Sequence, residues 1–73
     1  MGKRLNLKSL RVKLGLTQAG MAKKFGVGLS TYMSIENGKN DGKLSFWNLI
    51  QQDQNLTGDE LCELQKKQQI QES

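Results

Sequence analysis

Few residues in this 73-residue sequence have side chains that could carry catalysis or hold a metal ion. It contains no histidine, and Cys62 is its only cysteine. An intrachain disulfide is therefore impossible, and a zinc site, which needs several Cys or His ligands, is not expected. An active site would have to be assembled from Lys, Asp, Glu, Tyr and Cys62 without any catalytic motif, so we expect neither an enzyme nor a bound cofactor.

Basic side chains are concentrated in the first part of the chain. Residues 1–43 contain nine Lys or Arg against two acidic residues, whereas residues 44–73 contain two against five, within a net charge of +4. A basic half suits a polyanion, because each neutralised phosphate releases condensed counterions. On charge alone, a solvated basic face is an equally good interpretation.

The elements that must position these side chains are short helices. Leu7, Leu10 and Leu14 share one face of a first predicted helix over residues 6–14, with Asn6 as its N-cap. A second helix is predicted over residues 17–26, with Thr17 as its N-cap, and a third over residues 29–37. The apolar positions of these two helices predict a buried set at Met21, Ala22, Phe25, Tyr32 and Ile35.

A polar, glycine-rich loop at residues 38–43 separates these helices from a fourth. Ser45 is placed to cap this helix, and its spacing predicts that Phe46, Leu49 and Ile50 are buried. Since two adjacent helical positions do not face the same way, we expect Trp47 to be partly exposed, as a candidate dimer contact.

A fifth helix is predicted to open at a capping box formed by Thr57 and Glu60. We expect one domain over the whole chain, with its core over residues 5–64 and a frayed tail at residues 65–73. No apolar run approaches the roughly 20 residues of a membrane span, and the first residues do not form a secretory signal, so a cytoplasmic protein is expected.

The 22 residues TQAGMAKKFGVGLSTYMSIENG, positions 17–38, have the length of two helices joined by a tight turn, a helix-turn-helix. Ala22 is small where two steeply crossed helices approach each other. Gly26 can adopt the positive φ that the turn needs, while Val27 and Ile35 fill the space beneath it. Each residue type fits the position that it would occupy in such a unit.

This segment resembles the helix-turn-helix family of lambdoid phage repressors and Cro proteins, the XRE-like transcriptional regulators. The resemblance begins near Leu7, includes LGLTQ at positions 14–18 and continues through IENGK at positions 35–39. It implies an all-α fold: a compact five-helix lambda-repressor-like DNA-binding domain whose helices 2 and 3 form the helix-turn-helix. The fourth helix departs from the family pattern, because polar residues replace small or apolar ones at Gln51, Gln52, Asp53 and Gln54.

The resemblance also implies roles for individual residues. It pairs Arg11 with Glu36 in a structural ion pair, and a partly buried carboxylate does need a bidentate partner such as arginine. The residues that it places against DNA bases are Gly28, Leu29, Ser30, Met33 and Ser34. Phosphate contacts are expected from Gln18, from Lys39 and Lys43, and from the backbone N–H groups around Asn37 and Gly38. Lys3 and Arg4 are a candidate flexible arm.

Leu29 and Met33 leave the use of that face open, because neither can hydrogen-bond to a base edge. They could contact thymine methyl groups, with DNA shape and phosphate contacts supplying the remaining specificity. They could instead bind a protein, since exposed Leu and Met are adaptable interface residues. A third interpretation makes one of them part of the core.

The favoured function is a sequence-specific regulator of transcription, a repressor or Cro-like protein of a phage or bacterium. We expect a homodimer that inserts helix 3 into the major groove of double-stranded operator DNA, with half-sites about one helical turn apart. The alternative is an antirepressor or modulator of the same fold, which binds a repressor protein through the helix 3 face.

Overall fold

A computed structural model describes residues 2–68, which form five α-helices joined by short connections. The helices are α1 (Leu5–Lys13), α2 (Gln18–Lys24), α3 (Leu29–Glu36), α4 (Leu44–Gln54) and α5 (Gly58–Gln65). The predicted all-α, five-helix architecture is therefore confirmed. Within the described residues, none of these helices has the length and apolar character needed to cross a membrane.

Two helices begin as their capping residues predict. The Thr17 hydroxyl accepts a hydrogen bond from the backbone N–H of Gly20 at 3.0 Å, which opens α2. At the start of α5, the Thr57 hydroxyl accepts from the Glu60 N–H at 3.2 Å, and the Glu60 carboxylate accepts from the Thr57 N–H at 3.0 Å. This reciprocal pair is the predicted capping box, and it satisfies two N–H groups that lack partners inside the helix.

Two other predicted caps are wrong. Asn6 lies inside α1, and its side chain instead donates to the Glu63 carbonyl of α5 at 3.0 Å. Ser45 lies inside α4, because the carbonyl of Lys43 already accepts from Trp47, so the first helical turn starts two residues earlier. In both cases the helix starts before the residue best suited to cap it.

The core is built from aliphatic and aromatic side chains of all helices except α5. Its buried members are Leu7, Met21, Ala22, Phe25, Tyr32, Ile35, Phe46, Trp47 and Ile50. Phe46 is central: its ring lies edge-to-face with three aromatic rings, at centroid distances of 6.1 Å (Phe25), 6.3 Å (Tyr32) and 5.0 Å (Trp47). Such pairs each add about 0.5–1.5 kcal/mol to the stability that comes from apolar burial alone.

The inward face of α4 differs from the prediction. Trp47 is only 3% exposed, and its indole N–H donates to the Asp41 carbonyl at 2.9 Å. Leu49, predicted to be buried, is 47% exposed. Once Phe46, Trp47 and Ile50 face inward together, Leu49 lies roughly 110° around the helix from the centre of that face. The prediction for both residues was wrong, and a buried Trp47 offers no dimer contact.

Arg4 is a buried structural residue, so the predicted flexible arm at Lys3 and Arg4 is wrong. Arg4 is 3% exposed, and its guanidinium donates to the carbonyls of Ile35 (2.5 Å), Asn40 (2.8 Å) and Gln65 (3.0 Å). Burial lowers the pKa of this guanidinium, an effect that nearby Asp41 partly offsets. Arg4 therefore supplies donors to carbonyls in the last turn of α3, in the loop that follows it and at the end of α5.

The chain on either side of the helices is paired. The Lys3 N–H donates to the Gln68 carbonyl at 2.9 Å, and the Gln68 N–H donates back to Lys3 at 2.7 Å. The frayed tail expected from residue 65 is thus wrong for residues 65–68, because backbone hydrogen bonds to the N-terminal segment compete successfully with fraying. Residues 69–73 of that expected tail lie outside the described residues.

Candidate nucleic-acid interface

The connection between α2 and α3 has the geometry of a helix-turn-helix. Gly26 adopts a φ of +72°, the left-handed conformation predicted for the turn. The next residue, Val27, donates its N–H to the carbonyl of Ala22 at 2.9 Å, which draws the turn back onto the end of α2. Ala22 is buried between the helices. A small residue and a glycine thus hold α3 at a set angle to α2.

The carboxylate of Glu36 joins α1, α2 and α3 beneath this unit. It is 6% exposed and accepts from Arg11 Nε at 3.0 Å, Tyr32 Oη at 2.7 Å and Gln18 Nε2 at 3.2 Å. We call these four side chains the Glu36 network. Arg11 also donates to the carbonyl of Leu16 at 3.1 Å. The resemblance implied the Arg11–Glu36 pair, and the structure adds Tyr32 and Gln18 as further donors.

Burial and hydrogen bonding keep the donors of this network protonated. Burial raises the pKa of the Tyr32 hydroxyl far above its usual range, and the hydrogen bond to Glu36 raises it further. The same carboxylate raises the pKa of the Arg11 guanidinium. Tyr32 therefore stays a hydroxyl donor, and Arg11 stays a cation, throughout the physiological pH range.

Gln18 and Asn37, both predicted phosphate contacts, lie on one polar pocket of about 330 Å³. The Gln18 amide is partly committed, because one of its hydrogens is donated to Glu36. Lys3 and Lys8 line the same pocket. Lys8 was missed by the sequence reasoning, although its position one helical turn before Arg11 on α1 was a usable signal.

The backbone N–H groups after α3 are already used, so that part of the phosphate prediction is wrong. Asn37 donates to the Met33 carbonyl at 2.9 Å, and Gly38 to Ile35 at 3.1 Å. Lys39 donates to Ser34 at 2.9 Å. These bonds close the C-terminus of the helix, which leaves no free donor there for a phosphate. The half-buried side chain of Asn37 remains at the rim of the polar pocket.

The outward side of α3 carries four of the five residues assigned to base contacts. We call Leu29, Ser30, Met33 and Ser34 the α3 outer face. Leu29 is 46% and Met33 38% exposed, so neither belongs to the core. The fifth residue, Gly28, is exposed and precedes the first turn of α3 as its N-cap.

Basic side chains lie beyond both ends of α3. Lys39 and Lys43 are exposed in the loop between α3 and α4. Lys43 lines an open groove of about 500 Å³ together with Gly28 and Thr31, at the N-terminal end of α3. Lys3 and Lys8 stand at the opposite, C-terminal end, on the polar pocket. A negatively charged polymer that passes either end of α3 would therefore contact lysines.

The two acidic residues near α3 are both neutralised by cations. Glu36 is held inside its network, and Asp41 lies 3.1 Å from Lys67 Nζ and 3.8 Å from Arg4. The charge that this side of the molecule presents to solvent is therefore positive. Among residues 2–68, no cluster of His, Cys, Asp or Glu has the arrangement of a metal site.

The helix-turn-helix region of the chain matches a known protein family. A model of the helix-turn-helix family matches residues 7–45, which is more than half of the chain and extends from α1 to the first turn of α4. The matched region includes the turn at Gly26, the Glu36 network and the α3 outer face. No curated protein and no solved structure matches the chain.

Proposed function

Since this chain belongs to the helix-turn-helix family of DNA-binding proteins, we propose that it is a sequence-specific regulator of transcription acting on operator DNA. In this proposal α3 enters the major groove and presents its outer face to the base edges. Domains of this family are typically non-enzymatic regulators, and the proposal contains no chemical step.

The observation that carries the proposal is the position of an uncharged, exposed helix face between lysines at both of its ends. The α3 outer face is free of acidic groups. Lys3, Lys8 and Lys39 lie at the C-terminal end of α3, and Lys43 lies at its N-terminal end. Contacts to phosphates fix the orientation of a protein on the duplex, and base-edge contacts supply sequence preference. In this proposal the lysines beyond the ends of α3 contact phosphates, and the α3 outer face between them contacts base edges.

Gln18 is proposed to contact a phosphate with its remaining amide hydrogen. Its other amide hydrogen is donated to Glu36, which holds the side chain in one orientation at the polar pocket. Asn37 stands on the same pocket and is proposed to assist. An anchored amide loses less side-chain entropy on binding than a free one, so the contact is favoured.

We further propose that two copies bind a two-fold operator. An eight-residue recognition helix reads few base pairs, and doubling the contact is the physical route to specific affinity. The half-sites would then be about one helical turn, or roughly 34 Å, apart.

The experiment is selection of bound sequences from random duplexes, followed by affinity measurement at several salt concentrations. We expect enrichment of a sequence with two-fold symmetry. We expect binding to weaken with salt by about one logarithmic unit per ten-fold change for each phosphate contacted. Replacing Lys8 or Lys43 by Met should lower this slope by about 1 for each bound copy of the protein. The same change at Lys66, on the side of α5, should leave the slope unaltered. The proposal would be contradicted if no sequence were enriched and if the affinity for DNA did not change with salt concentration.

A further inference from the structure

We propose that the α3 outer face reads the C5 methyl groups of thymines, through Leu29 and Met33. This inference rests on the proposed function and adds to it the chemical feature of the operator that the protein recognises. It follows from which side chains α3 lacks, from the spacing of those it has, and from the charge that surrounds them.

Elimination gives the first argument. Arg and Lys read guanine in the major groove, Asn and Gln read adenine, and Asp and Glu accept from cytosine. The exposed positions of α3 contain none of these types. Of its other polar residues, Tyr32 and Glu36 are buried in the Glu36 network, and the exposed Thr31 lines the open groove at the N-terminal end of α3, outside the α3 outer face. Ser30 and Ser34 can donate to or accept from any base. Leu29 and Met33 are left as the discriminating contacts, and the apolar feature of a base pair in this groove is the thymine methyl group.

The spacing of the two side chains gives the second argument. Leu29 and Met33 are four positions apart in one helix, so they lie on the same side of α3, separated by about 6 Å along its axis. Consecutive bases of one strand are about 3.4 Å apart along the duplex. Two side chains at this separation reach methyl groups one or two base steps apart. Each half-site should therefore contain a pair of critical thymines.

The surrounding charge favours DNA over a protein as the occupant of this face. Lysines lie beyond both ends of α3, and the neighbouring carboxylates of Glu36 and Asp41 are paired with cations. A protein interface of ordinary size buries about 800 Å² on each partner around an apolar centre. The α3 outer face offers only two apolar side chains, flanked by serines, which is small for that purpose and adequate for two methyl groups.

The test uses the duplex obtained by selection, with each thymine replaced in turn by uracil, which lacks only the methyl group. When uracil replaces either of two thymines in a half-site, we expect the affinity of the wild-type protein to fall about fourfold. This factor corresponds to losing the free energy of burying one methylene-sized group. Replacing the same T·A pair by a 5-methylcytosine·G pair should retain more affinity than replacing it by an unmodified C·G pair.

Variants assign each methyl group to a side chain. Leu29→Ala should abolish the effect of uracil at one of the two thymines, and Met33→Ala at the other, because the partner of the methyl is then gone. Val12→Ala is the matched control: Val12 is 62% exposed on α1, outside the α3 face, and its variant should respond to uracil as the wild type does. All three residues are exposed, so the variants should melt within a few degrees of the wild type.

The outcomes separate this inference from the function on which it rests. If the protein selects and binds a duplex but no uracil replacement weakens binding, the methyl-reading inference is overturned and the proposed function stands. If no duplex is selected, the proposed function fails and the inference fails with it. If Leu29→Ser with Met33→Ser abolishes capture of a protein partner and leaves DNA affinity unchanged, the face binds protein and the inference is likewise overturned.

Discussion

At the scale of single residues, we expect substitutions in the Glu36 network to lower the stability of the fold strongly. Glu36 is buried and accepts from three different side chains, of which Arg11 alone carries a charge. A buried pair contributes little net stability compared with apolar residues, yet removing one member leaves an uncompensated charge. The network thus fixes how α1, α2 and α3 meet without being a large source of stability itself.

We expect Arg11→Ala to lower the free energy of unfolding by about 3–5 kcal/mol, because Glu36 would stay buried without its cation. Urea unfolding followed by circular dichroism measures this. Lys13→Ala is the control, since Lys13 is an exposed cation of the same helix and its loss should change stability by less than about 0.5 kcal/mol. Equal effects of the two substitutions would contradict the role assigned to Arg11.

The raised pKa of Tyr32 predicts a loss of stability at high pH. The unfolded chain releases the tyrosine proton near pH 10, whereas the folded chain still holds it. The folded state then binds more protons, so the free energy of unfolding must fall as pH rises above about 10, and the contribution of Tyr32 is fully present below that value.

Tyr32→Phe isolates this contribution. Between pH 10 and 11 we expect the wild type to lose about 1 kcal/mol more stability than the variant, while effects of lysine titration are common to both. At pH 7 the variant should already be less stable by about 1–3 kcal/mol, since the hydrogen bond to Glu36 is gone. Parallel pH profiles for the two proteins would show that the hydroxyl does not titrate as its burial requires.

At the scale of elements, the connections are more informative than the helices themselves. The positions of α2, α3 and α5 follow from apolar spacing and from caps at Thr17 and Thr57, which are local signals. Two glycines that follow helices, Gly26 and Gly38, both have positive φ, but their surroundings differ. A methyl group added at Gly26 meets no atom, whereas one added at Gly38 collides with the carbonyl oxygen of Gly2.

This difference predicts unequal effects of the same substitution. Gly26→Ala should cost about 1–2 kcal/mol, the penalty for a left-handed alanine. Gly38→Ala should cost roughly 3–4 kcal/mol, because the N-terminal segment must also be displaced. Thermal or urea unfolding of the two variants side by side checks this. A Gly38 variant as stable as the Gly26 variant would mean that the segment at Gly2 moves aside freely.

Trp47 and Arg4 were predicted wrongly because their hydrogen-bond partners lie in other segments of the chain, outside the helix that each residue belongs to or caps. Trp47 is buried because its indole N–H reaches the Asp41 carbonyl, and Arg4 is buried because three carbonyls from distant segments surround it. The helical spacing of apolar residues does not indicate either set of hydrogen bonds. The helix-turn-helix was accessible from the sequence, because glycine and alanine at given spacings reflect local geometry. The Arg11–Glu36 pair joins residues 25 positions apart, and it was the resemblance to the family that implied it. The order of residues 65–68 was not accessible from the sequence, since it depends on pairing with Lys3.

At the scale of the whole molecule, charge is divided between two sides. Lysines lie beyond both ends of α3, whereas Asp59, Glu60 and Glu63 are exposed on α5. A molecule with this polarity approaches a duplex with its α3 side foremost, because the acidic side is repelled. Electrostatic steering and base reading would then use the same side of the protein.

The most direct test of this account is mapping of amide chemical-shift changes by NMR when the selected duplex is added. We predict the largest changes at Gln18, along the α3 outer face and at Lys39 and Lys43, with α5 (Gly58–Gln65) unaffected. Changes centred on α5, or a saturated complex in which the amides of α3 do not shift, would contradict the claim that α3 is the element presented to DNA.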